Sequence, residues 1–124
     1  MARSLIIAAA LFAALGIVTG AFGAHALKGL LDTTQTAWFE KAVYYHQTAA
    51  LGALLMAILS QKGYPADTLN GWLLLLGAAI FSATLYAMAL GAPRWFGAIT
   101  PIGGTLMIFA WCRLAWQVYR STEK

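Results

Sequence analysis

Apolar residues in this chain fall into four long stretches free of Asp, Glu, Lys and Arg: Ser4 to Leu27 (24 residues), Ala42 to Gln61 (20), Thr68 to Pro93 (26) and Trp95 to Cys112 (18). A helix rises 1.5 Å per residue and a bilayer's hydrocarbon core is about 30 Å thick, so about 20 residues cross it once. Each stretch can therefore span once, and together they take up 88 of 124 residues. In lipid the backbone must satisfy its own hydrogen bonds, and segments of this length do so as helices rather than as roughly 10-residue barrel strands. The pattern predicts an all-α, polytopic membrane protein: an antiparallel bundle of four transmembrane helices, one integral domain over 1–124. The expected spans are 5–24, 42–60, 70–90 and 97–118, with an interfacial or helical connection over 25–41.

Local signals refine these elements. Gln61 to Asp67 and Leu90 to Phe96 are short Gly/Pro turns between antiparallel neighbours. Asp32 with Gln35 three residues on reads as a capping box, so the second helix starts near Thr33, well before its apolar core. A helix from there to Ser60 is about 42 Å long and must project from the membrane, tilt, or break near Glu40. Ahead of it, Leu27, Leu30 and Leu31 can lie as one apolar turn on the interface. In the first stretch Ala9, Ala13, Gly16, Gly20 and Ala24 recur at helical spacing. This small-residue stripe, with Gly23 beside it, suits close helix packing within the chain rather than a dimer face. Pro101 belongs in the first turns of the fourth helix, where a missing N–H matters little. Gly103 and Gly104 are expected against the small-residue stripe of the first helix. Met1 to Ser4, the apolar run and Ala24-His25-Ala26 have the outline of a signal peptide. The run exceeds the 7–15 residues of a signal core, which favours an uncleaved span.

Composition agrees with membrane burial: 61% of residues are hydrophobic and 10% charged, against roughly 25% charged in soluble domains. The formal charge of +4 comes from dispersed cations with no basic run, which excludes a nucleic-acid surface. The single cysteine, Cys112, permits neither an internal disulfide nor a cysteine metal cluster. The cations serve as topology markers. Arg3, Lys62, Arg120, Lys124 and a snorkelling Arg113 share one side, and Lys28, Lys41 and Arg94 the other. Five against three places both termini in the cytoplasm. Trp38, Phe39, Tyr44, Tyr45, Trp95 and Phe96 would form one interfacial belt, and Tyr64, Trp72, Trp116 and Tyr119 the other.

Four motifs occur in order along the chain: Gly20-Ala-Phe-Gly-Ala-His25-Ala-Leu-Lys28, Trp38 followed by Tyr45, Phe81-Ser-Ala-Thr-Leu-Tyr86, and Thr100-Pro-Ile-Gly-Gly104. Over nearly its whole length the chain resembles the YgdD-like family of small inner-membrane proteins of unknown function. The resemblance implies four transmembrane helices and an inner-membrane location, with no established activity. Where that family carries Tyr-Gln-x-x-His, this chain has Tyr45-His46-Gln47-Thr48-Ala49. The family histidine position is thus Ala49, and no role of that histidine carries over.

Polar side chains in or near spans are the candidates for function. His25, His46, Gln47, Ser82, Thr84, Tyr86, Arg94 and Thr100 all belong to the half of the bilayer facing the long connection. The other half is expected to be almost purely apolar. The plainest reading is a wetter end whose side chains bond to nearby backbone. A second is a docking surface for a larger membrane complex, with Asp32, Glu40 and Lys41 taking part. The third, weakest, makes His25 and His46 axial ligands of a haem. No metal or other cofactor is expected. No span holds the carboxylate of a proton-coupled exporter, which disfavours a solute or ion pathway. Catalysis lacks a base oriented by a partner, Glu40 with Lys41 reading instead as an interfacial pair. The sequence thus predicts a non-enzymatic component of the lipid bilayer that meets a membrane-protein partner or forms a homo-oligomer. A small solute or ion pathway is the alternative.

Overall fold

The computed structural model describes residues 2–121; Met1 of the signal-like segment and Lys124 of the charge count lie outside them. Four helices follow the four apolar stretches: α1 (Ala2–His25), α2 (Thr33–Gln61), α3 (Leu69–Ala89) and α4 (Thr100–Tyr119). All four are long and apolar enough to cross a membrane, α4 together with the short 3₁₀ helix Arg94–Ala98 that leads into it.

The helix ends form where the residues require. Asp32 Oδ1 accepts from Gln35 N–H at 2.7 Å, and Gln35 Oε1 accepts from Asp32 N–H at 3.0 Å, closing the capping box. From this start α2 runs unbroken past Glu40 for 29 residues, about 43 Å. Gly63 and Gly91 take φ of +89° and +112°, left-handed geometry that costs glycine little. Each ends its helix with a paired cap: Gly63 and Tyr64 N–H donate to Ser60 and Leu59 carbonyls, and Gly91 and Ala92 N–H to Met88 and Ala87 carbonyls. Pro101 sits in the first turn of α4, as its missing donor dictates.

Packing is sequential. The helices α2 and α3 form the centre, with 44% and 50% of their most apolar stretches buried, whereas α1 and α4 bury 17% each and flank them. The main core gathers Leu5 and Ala9 from α1, Ala53, Met56 and Ala57 from α2, Leu74 and Ala78 from α3, and Ala110 from α4. Gly16, Gly20 and Gly23 face Gln47, Val43 and Phe39, so the small stripe of α1 is an intramolecular seam with α2. A Cβ on Gly16 would lie 2.5 Å from Gln47 Oε1.

Three expectations need correction. Gly103 and Gly104 pack on α3, not α1: a Cβ on Gly103 would lie 2.5 Å from Phe81 N, and one on Gly77 2.7 Å from Gly103 O. The seam of α1 is already filled by α2, while Gly77 offers α4 its own close approach. Phe39 leaves the interfacial belt for the interior, 6% exposed, edge-on to Tyr86. Glu40 and Lys41 form no ion pair, because adjacent helical residues point in different directions.

Candidate functional site

Antiparallel α1 and α2 run in register, Gly16 beside Gln47 and Gly23 beside Phe39. That register lays His46 against the middle of α1, and α3 brings Tyr86 to the same level. The His46 ring is 2% exposed and stacks on Phe12 at a centroid separation of 4.1 Å. Its Nε2 lies 2.8 Å from the Phe12 carbonyl. A carbonyl only accepts, so Nε2 carries a proton and donates. Nδ1 of the neutral ring then accepts from the Tyr86 hydroxyl at 3.0 Å. Thr19 Oγ1 completes the node, 2.8 Å from Tyr86 Oη and 3.1 Å from the Gly16 carbonyl it donates to.

Proton counting limits this node. A neutral ring, one phenol and one threonine supply three protons for four hydrogen bonds. With Tyr86 donating to His46, the Thr19 hydroxyl alternates between Tyr86 Oη and the Gly16 carbonyl. The node ties α1, α2 and α3 together without a formal charge, and it engages both ring nitrogens of His46.

The remaining predicted residues divide among neighbouring contacts. Ser82 Oγ, buried, donates to the Ala42 carbonyl at 2.7 Å and fixes α3 on α2. Thr84 and Thr100 share a 2.6 Å hydrogen bond that joins α3 to α4. The Gln47 amide oxygen is enclosed beside Gly16 and has no donor. The Arg94 guanidinium sits 5.6 Å above the Trp38 ring at the outer edge. His25 is exposed at the end of α1, about eight residues or 12 Å of helix rise from the level of His46. The two histidines are therefore not a ligand pair, and neither nitrogen of His46 is free for iron. Among the described residues no group of His, Cys, Asp or Glu side chains could hold a metal ion.

Sequence reasoning missed Thr19 and the Phe12 carbonyl at this node. A threonine inside Gly16-Ile-Val-Thr-Gly20 was a usable signal for the first; a backbone carbonyl has none. It also expected the opposite half to be almost purely apolar, and there the structure builds a second network. Arg113 of α4 donates to both oxygens of Asp67, at 2.8 and 3.0 Å, and to Asn70 Oδ1 at 2.8 Å. Gln117 donates to Asp67 at 3.1 Å and accepts from Asn70 at 2.7 Å. Asn70 is fully buried, while the side chains of Arg113 and Asp67 are 26% and 50% exposed. The Arg113 guanidinium holds the Asp67 carboxyl below the usual carboxylate range, with Gln117 and the Leu69 N–H assisting. Arg113 does reach outward from its span as expected, but toward a carboxylate rather than free solvent.

The sequence matches known proteins at family level. A family model described as "Protein of unknown function (DUF423)" matches residues 19–104. A UPF0382 membrane protein of Staphylococcus haemolyticus is 42% identical over 117 residues, covering 93% of this chain and 94% of that protein. The UPF0382 membrane protein YwdK of Bacillus subtilis is 38% identical over 108 residues, 86% of this chain and 88% of YwdK. One from Haemophilus influenzae is 34% identical over 108 residues, 85% of each chain. No solved structure matches.

Proposed function

Since this chain belongs to the DUF423 family of membrane proteins, we propose that it works by lateral contact, as an accessory, assembly or interaction component beside another membrane protein or a second copy of itself. The observation that carries this reading is how the interior is used. Among the described residues, one buried side-chain polar atom, Gln47 Oε1, lacks a hydrogen-bond partner; the rest bond to one another or to backbone. What remains for recognition is the outside, where α1 and α4 turn most of their surface outward. Such faces associate in lipid through packing and hydrogen bonds rather than through a hydrophobic force.

The reading is non-enzymatic: His46 is held between a carbonyl and a phenol, with no carboxylate orienting it. We place the protein in the inner membrane with both termini in the cytoplasm, supported by the distribution of Lys and Arg. We also read the YgdD-like proteins as members of this same family, since residues 20–28 and 100–104, two of the motifs they share with this chain, fall within its matched segment. Affinity purification in mild detergent after crosslinking in the membrane tests the proposal. A defined partner, or a dimer of this chain, is expected to co-purify. A monodisperse monomer without a partner overturns the reading.

A further inference from the structure

At the end of α1 and the start of α2, the two helices and the connection between them line a cavity of about 500 Å³, a size typical of small-ligand sites. Gly20 and Val43 line its apolar depth, and Lys28 and Glu40 stand at its mouth. Both charges are exposed, and neither has an ion-pair partner among the described residues, where the pair found is Arg113 with Asp67. A cation and a carboxylate thus face one cavity without neutralising each other.

Depth narrows what fits. Glu40 lies just outside the uncharged stretch of α2 that begins at Ala42, at the level of lipid headgroups. Val43 lies about one turn deeper, in hydrocarbon. A matching molecule has an apolar body below and both an anion and a hydrogen-bonding cation above. We propose that this cavity holds one phospholipid with a zwitterionic headgroup that ends in a primary ammonium. Its phosphate pairs with Lys28, its ammonium donates to Glu40, and the start of its acyl chains lies along Gly20 and Val43. An anionic headgroup leaves Glu40 opposed by like charge. A quaternary ammonium balances the charge but has no N–H to donate.

Native mass spectrometry of the full chain, delipidated in mild detergent and given equal phosphatidylethanolamine, phosphatidylcholine and phosphatidylglycerol with matched chains, tests this. Phosphatidylethanolamine is expected to be retained with roughly tenfold preference over phosphatidylcholine, the effect of one charge-assisted hydrogen bond, and over phosphatidylglycerol by more. Glu40→Gln brings the ethanolamine-to-choline ratio close to one, and Lys28→Gln weakens all three. Ala24→Phe, filling the cavity from an exposed position on its wall, removes the adducts while circular dichroism reports an unchanged helix content. Equal retention of the three lipids, a preference for phosphatidylglycerol, or an ethanolamine preference indifferent to Glu40→Gln overturns the proposal.

Discussion

Around His46 the bonded groups are neutral and enclosed, whereas around Asp67 they carry full charges and stand partly open to the aqueous side. Both networks join neighbouring helices through residues far apart in sequence, and both include a fully or almost fully buried side chain, His46 in one and Asn70 in the other. Depth separates them. An ionised group well inside a bilayer is expensive, so donors there are neutral and two of their acceptors are backbone carbonyls. At the interface water screens the cost, and a bidentate guanidinium–carboxylate pair becomes usable. The same chain thus closes one end by hydrogen bonds alone and the other by an ion pair resting on a buried amide.

Substitutions at each end test this contrast, and the largest loss is expected from His46→Ala. It removes a packed ring and strands the Phe12 carbonyl and one side of Tyr86, which together cost about 3 kcal/mol. Reversible unfolding in mixed micelles measures it, and a loss under 1 kcal/mol would show that α1 does not depend on the node. Asp67→Ala is expected to cost about 1 kcal/mol after discounting for exposure, and a double-mutant cycle with Arg113→Ala should return most of that as coupling. The two ends should also separate by pH. The folded Asp67 carboxyl titrates below its unfolded value, so its contribution is complete above that value and is lost as pH falls below about 4. Asp67→Asn should flatten this acid limb in the micelle assay, while His46→Ala leaves it in place. Tyr86→Phe, which deletes one hydroxyl and keeps the ring against Phe39, should cost about 0.6 kcal/mol. The smallest effect, about 0.5 kcal/mol, is expected of Arg94→Ala, whose contact with Trp38 lies in a hydrated edge.

Which features were legible follows from what a sequence encodes locally. Span length, the Asp32–Gln35 box and the place of Pro101 depend on residues within one element, and spacing reveals them. Partner choice does not. The spacing of Gly103 and Gly104 identifies a close-packing face but not that Gly77 and Phe81 cover it. Asp67 and Arg113 lie 46 residues apart; charge counting marked each as an end of an apolar stretch, so their meeting had no local signature. The polar half of the bundle was visible as a list of side chains, but its order was not. His46, Tyr86 and Thr19 meet because the glycine seam fixes the register of α1 on α2, and His25 falls outside because the same register carries it past the site.

The Thr19 to Gly16 bond stays within α1, and this matters when the chain is being made. Among these spans α1 enters the bilayer before the others, with none of them yet beside it. Its one hydroxyl within the hydrocarbon already has an acceptor on its own backbone, so the helix can wait in lipid without an exposed donor. When α2 and α3 arrive, the same proton is shared between the Gly16 carbonyl and Tyr86, and a helix that was complete alone joins the bundle without giving up its own hydrogen bond.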